Sequence, residues 1–195
     1  MHLSQQQSHD WIASRRSVYP KMFTNNDVSK DEVMALLDVA KWAPTHKLTQ
    51  PWNFKVFMHG GKMRLADQLG LFLKEEKGET ELTKAKSEKM RMNVSQSGAV
   101  VAIVMKRDVE QRVPQIEEIC AVACAVQNIA IHARSMGLGG YWSTGACTNY
   151  PSTRNLLELN PNDLHLGWYF LGKCDGEQKA PLNRKNSEEF VEIIS

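Results

Sequence analysis

The segment from Pro114 to Met136 constrains this chain more than any other. After Glu117 and Glu118 it is apolar on nearly every face, with Ala121, Ala123, Ala125 and Ala130 among its small residues. Early carboxylates suit a helix N-terminus, and a helix apolar all round has to be buried, inside a domain or against another subunit. Such a helix needs a layer to lie on. The run Ala99-Val100-Val101-Ala102-Ile103-Val104, within Gly98 to Met105, has the length and β-branched content of a buried strand that supplies one.

The remaining elements are placed by periodicity and punctuation. Ser4 to Arg16 reads as a helix with Trp11 and Ile12 on its apolar side, ended by Val18-Tyr19-Pro20. A second helix begins near Ser29-Lys30-Asp31-Glu32, carries Val33, Leu36, Leu37 and Ala40, and stops before Pro44. Asn53 to Met58 alternates as a strand does, and a helix from Gly61 follows with Met63, Leu65, Leu69 and Leu73. Lys74 to Asn93 mixes both signs of charge with few apolar residues and reads as a solvated helix. Gly167 to Gly172 is expected to be a strand, and Asn186 to Ile194 an amphipathic helix. Strands and helices do not alternate regularly, which predicts an α+β layer fold. The length of 195 residues fits one domain over 1–195.

A net charge of +2 gives no reason to expect nucleic acid or a membrane surface as partner. Met1 to Asp10 lacks the apolar run of a signal peptide, and no stretch is read as approaching the length of a bilayer span. Cys120, Cys124, Cys147 and Cys174 are too scattered for a disulfide framework, so a reducing cytoplasm is the expected location.

Three short stretches carry the chemistry. Arg15-Arg16-Ser17 offers two forked guanidinium groups and a hydroxyl, which suit phosphate and ribityl oxygens; a surface arginine pair at a helix end is the plain alternative. In the second, Pro44-Thr45-His46-Lys47-Leu48-Thr49-Gln50-Pro51-Trp52, prolines near both ends stiffen a loop that presents His46 and Gln50 to a ring edge. A loop histidine is by default structural, and Trp52 reads as core. The third, Gly137-Leu138-Gly139-Gly140-Tyr141-Trp142-Ser143-Thr144-Gly145, follows a helix instead of opening one. It is therefore not a dinucleotide fingerprint; Gly137 ends a helix and a tight glycine turn follows, packed against an indole.

Other constellations are missing from the sequence. Cys120 and Cys124 share a helix face but have no histidine or carboxylate set beside them, so no metal is expected. Cys147 has no partnered histidine, and no serine elbow, HExxH or P-loop occurs.

Together and in this order, the three stretches resemble the FMN-dependent nitroreductase family, over about Trp11 to Val191. The Ala43-Pro44-x-His46-Lys47-x-x-Gln50-Pro51-Trp52 pattern is similar to its small, single-domain subgroup. The resemblance implies a nitroreductase-like sandwich, a mostly antiparallel sheet flanked by helices. It also implies a homodimer with FMN at the subunit interface and the 114–136 helix packed there. Arg15, Arg16 and Ser17 would then hold the phosphate and ribityl chain, and Trp142, Ser143 and Thr144 would reach the flavin. Arg184 and Lys185, in Pro181-Leu182-Asn183-Arg184-Lys185, would add a phosphate cation, although alone they read as solvated charge. Trp42 falls where subgroup members carry a cation, so it would stack instead of pairing with phosphate. Leu48 and Ser143 also depart from better-known members, which carry Asn and Arg there.

The implied reaction is ping-pong. NAD(P)H would reduce the flavin, and an electron-poor acceptor such as a nitroaromatic or quinone would then be reduced, with His46 or Lys47 tuning the ring. In the family the region corresponding to Lys74–Asn93 varies as a cover over the flavin, which adds a lid reading. A flavin-binding sensor with little turnover, and a dehalogenase-like or flavin-fragmenting relative, are the alternatives. The sequence chooses neither the acceptor nor between NADH and NADPH.

Overall fold

In a computed structural model the protein is described over residues 4–24, 27–145, 147–175 and 183–194. Three of its helices start on the same local device. Ser4 with Gln7, Ser29 with Glu32 and Thr80 with Thr83 each form a reciprocal capping box that satisfies two orphan backbone donors. These launch α1 (Gln5–Ser14), α2 (Lys30–Asp38) and α4 (Glu81–Gln96). Between the last two come β1 (Trp52–Met58) and α3 (His59–Lys77). After α4 the chain runs through β2 (Ala99–Met105), α5 (Gln115–Ser135), β3 (Leu138–Ser143), α6 (Pro151–Leu156) and β4 (Leu164–Lys173).

Among the described residues the strands form one antiparallel sheet in the order β1-β2-β4-β3. The central strand β2 is buried along its whole length. Its residues alternate between two cores, as side chains of period two must. Val101 and Ile103 meet Val33, Leu36, Val122, Val126 and Ile129 of α2 and α5. Val100 and Ala102 meet Leu65, Leu69, Leu73 and Val94 of the α3–α4 hairpin on the opposite face. The fold is thus α+β, with helices on both faces of the sheet.

The structure corrects the reading of Gly139-Gly140 as a tight turn. Both lie in β3, opposite Gly172 and Leu171 of β4. They are small because side chains distant in sequence press on them: a Cβ at Gly140 would enter the ring of buried Tyr169, and one at Gly139 would meet Val18 at 2.8 Å. Gly137 does end α5, in the left-handed region at φ 65°. Gly167 has φ 122° beside Trp142 and is closed to any side chain.

Three further expectations change. The amphipathic helix at Asn186–Ile194 is only a turn at Ser187–Glu189, because Phe190, Val191, Ile193 and Ile194 are exposed and pack on nothing that would hold a helix. α5 is long and apolar enough to cross a membrane by length and composition, contrary to the reading that no stretch comes close. It lies along the sheet with Ala121, Val122, Ala125, Val126, Ile129 and Ala133 buried, while Ile116, Cys120 and Cys124 are exposed, so it is not covered all round. Lys74–Asn93 is solvated helix, as charge predicts, but as an α3–α4 hairpin folded on the sheet face opposite α5.

Candidate cofactor site

The site is assembled where α1, α5 and β3 meet. α1 ends at Ser14, and Arg16 Nη1 donates to the carbonyls of Ala13 (2.5 Å) and Arg15 (2.9 Å), closing the helix end. From the last turn of α5, Arg134 Nη1 donates to the Ser14 carbonyl at 2.7 Å. Arg15, Arg16 and Arg134 therefore surround one small recess, floored by Leu138, Gly139 and Gly140 of β3. Among the described residues none of the three is in an ion pair, and the Arg16 Nε–H is buried without a partner. A buried donor left unmatched is costly unless a ligand meets it. Three guanidinium groups without a carboxylate suit a phosphate, and Ser17 stands exposed beside them.

From here the chain continues along β3. Val18 N–H donates to the Gly140 carbonyl at 2.9 Å, and Tyr19 packs on Tyr141 with ring centroids 4.5 Å apart. Both tyrosines line a cavity of about 860 Å³ between the α3–α4 hairpin and the sheet, which also reaches Ser143, Gly145, Trp168 and Phe170. That volume lies in the range of small-molecule sites. Trp142 points to the other face, its Nε1–H donating to the Leu166 carbonyl at 2.9 Å, and Thr144 is exposed.

The second motif lies elsewhere. His46 Nδ1 pairs with Glu117 Oε2 at 2.6 Å, and Lys47 Nζ donates to the Arg112 carbonyl at 3.1 Å, which ties the loop to the start of α5. Lys47, Leu48 and Gln50 all have positive φ, a strained run fixed in part by Gln50 N–H donating to Thr45 Oγ1 at 3.1 Å. Trp42 is exposed and stacks under Lys41, while Trp52 packs against the α2–α5 core as expected. Arg134 is 17 residues along α5 from Glu117, so within one chain the loop and the arginines stand roughly 25 Å apart. Arg184 and Lys185 are exposed in a stretch without regular structure and do not line the recess; Pro181 and Leu182 lie outside the described residues.

Sequence reasoning missed Arg134 and the cavity lysines. Arg134 reads as an ordinary basic residue in the last turn of a helix, and nothing local marks it as a neighbour of Arg15. Elsewhere, burial pushes the Cys147 thiol up to about 11, with the Glu76 charge adding to it, so it is no nucleophile. Among the described residues no group of three or more His, Cys, Asp or Glu could hold a metal.

The chain is 28% identical to the Putative NAD(P)H nitroreductase YfhC of Bacillus subtilis over 185 residues, covering 94% of this chain and 93% of that protein. The crystal structure of a nitroreductase-like family protein from Bacillus cereus superposes with a TM-score of 0.81 at 27% identity, covering 100% of this chain and 99% of that one. A nitroreductase from Desulfovibrio desulfuricans, crystallised with FMN, shares the fold at a TM-score of 0.72 and 21% identity, covering 98% of this chain and 99% of that one. The family model described as the Nitroreductase family matches residues 12–173, and the chain belongs to that family.

Proposed function

We propose that this protein is an FMN-dependent NAD(P)H oxidoreductase that reduces electron-poor acceptors and works as a cytoplasmic homodimer. The observation that carries the reading is the recess of Arg15, Arg16 and Arg134, free of ion pairs among the described residues and with a buried, unpartnered Arg16 Nε–H. Those residues fit a flavin mononucleotide: the guanidinium groups take its phosphate, and the Tyr19–Tyr141 wall takes flat aromatic surface. FMN, when bound, supplies the redox chemistry by accepting hydride from NAD(P)H and passing electrons to the acceptor. The chain's part is to anchor the phosphate, exclude water with Trp168 and Phe170, and present the Ser143 hydroxyl on the cavity wall.

The dimer is supported by what one chain leaves unfinished. The His46 loop belongs to the opposite end of α5 from the arginines. A second copy with its α5 antiparallel would bring its own loop to this chain's recess, as a two-fold axis requires. It would also cover Ile116, Cys120 and Cys124.

The test is the visible spectrum of the purified protein before and after anaerobic NADH or NADPH, with mass measured by light scattering. A bound-flavin spectrum that bleaches, on a species of twice the chain mass, is the expected result. A flavin that binds and resists reduction favours the sensor alternative. A colourless protein that also fails to take up added FMN overturns the reading.

A further inference from the structure

The cavity between the α3–α4 hairpin and the sheet has an uneven charge. Its floor is apolar and aromatic, built from Leu73, Met90, Tyr141, Tyr150, Trp168 and Phe170. Its rim carries Lys21, Lys77, Lys86 and Lys89, and among the described residues no aspartate or glutamate lines it. Composition does not explain this, since the chain has 24 Lys and Arg against 22 Asp and Glu. Three other cations of the hairpin are matched: Lys74 with Glu79 at 2.6 Å, Lys84 with Glu81 at 3.1 Å, and Arg91 with Asp67. The four rim lysines have no ion pair among the described residues. The Glu76 charge acts on Tyr150 of the wall without lining the cavity itself.

We propose that this cavity selects an anionic aromatic acceptor, its ring on the Tyr141–Trp168–Phe170 floor and its carboxylate or sulfonate held by Lys86 and Lys89 of α4 with Lys21 and Lys77. The inference rests on the oxidoreductase reading and names its substrate class. Ammonium groups on flexible stems gather an exposed anion without fixing its angle, and the low-dielectric floor strengthens their field. For a quinone sulfonate the overall reaction balances as NAD(P)H plus one proton plus quinone giving NAD(P)+ and hydroquinone. That proton comes from solvent, the other hydrogen being the hydride of NAD(P)H, and the sulfonate is unchanged. The α3–α4 hairpin then serves as the acceptor-gripping wall.

The experiment uses the purified flavoprotein. Calorimetry compares 2-naphthalenesulfonate with its neutral sulfonamide, neither of which is reducible. Kinetics compare 1,4-naphthoquinone-2-sulfonate with 2-methyl-1,4-naphthoquinone. The sulfonate should bind about tenfold tighter than the sulfonamide, and the Lys86→Glu/Lys89→Glu double variant should remove that margin and lower the anionic-to-neutral kcat/KM ratio about tenfold. Lys86→Gln/Lys89→Gln should give a smaller loss in the same direction, and Lys84→Glu, outside the lining, should leave the ratio unchanged. Equal affinity for the two naphthalenes overturns the inference. So does a double reversal that strips FMN while the sulfonate margin persists, which would assign the lysines to the cofactor. Flavin that bleaches with NAD(P)H while the margin is absent sinks this inference alone; a margin on a protein that takes no flavin sinks the oxidoreductase reading and the acceptor role with it.

Discussion

The two ends of α5 are both crowded with charge and use it in opposite ways. At the N-terminal end the two arginines of the 106–114 turn each have a carboxylate. Arg107 pairs with Glu118, which is 1% exposed and also accepts from Asp108 N–H at 3.0 Å. Arg107 Nη2 donates to the Val113 carbonyl at 2.6 Å, and Arg112 forks onto Asp108, whose carboxyl it holds down at about 2. At the C-terminal end Arg15, Arg16 and Arg134 converge with only backbone carbonyls as partners among the described residues. Satisfied charge stiffens the 106–114 turn that feeds the helix. Unsatisfied charge keeps a place open for an anion.

The sharpest way to break that contrast is Glu118→Ala. It strands Arg107 in the interior and should cost about 3–5 kcal/mol of stability in urea unfolding. A loss under about 1 kcal/mol would mean the N-terminal network is ornamental.

Next is Arg16→Ala. Stability should change little, while FMN affinity falls by about 1.5–3 kcal/mol, the worth of charge-assisted hydrogen bonds, read by fluorescence as flavin is released. An unchanged affinity would remove the phosphate role from the recess.

The third test uses a matched cation at the C-terminal side, Lys173, which donates to Glu32. That bond comes first and the Ser29 backbone N–H second in holding the Glu32 carboxyl at about 2 against an ordinary 4.5. The folded state therefore binds the proton more weakly than the unfolded chain. This contribution is complete above pH 4.5 and is lost as pH falls toward 2. The pair is part exposed, so Glu32→Gln should lower neutral-pH stability by only about 1 kcal/mol and flatten the acid limb of the stability profile. An unchanged acid limb would reject the pairing.

The smallest effect is expected for Glu117→Gln. His46 and Glu117 are 55% and 42% exposed, so breaking their pair should cost no more than about 0.5 kcal/mol in the same unfolding assay. A cost comparable to Glu118→Ala would show that pairing, and not burial, sets the difference between the ends.

Much of the scaffold was legible because it rests on local periodicity. The apolar run at Gly98–Met105 became β2, Asn53–Met58 became β1 with one more residue, and Pro114–Met136 became α5 less one residue at each end. Ser29 and the early carboxylates Asp31 and Glu32 announced α2, and the structure closes Ser29 and Glu32 into a capping box. β3 was not legible, since Gly139 and Gly140 have low strand propensity and sit there to admit Val18 and Tyr169, which are distant in sequence. The helix expected at Asn186–Ile194 failed for the converse reason: its pattern is amphipathic, but nothing described in the chain covers its apolar side. For the site, Arg15, Arg16, Ser143 and Tyr19, two residues after Ser17, were in or near the expected stretches, whereas Arg134 carried no local sign.

What the sequence by itself determined is therefore the set of elements and the residue types a phosphate needs, because helix caps, period-two runs and paired guanidinium groups are properties of neighbours in the chain. What only the tertiary structure decided is which charges meet. Arg134 joins Arg15 across 119 positions, the His46 loop is carried to the far end of α5, and four lysines are left facing an aromatic floor. Coulombic and packing energies depend on distance in space, and that distance is set by how α5 and the hairpin lie on the two faces of the sheet.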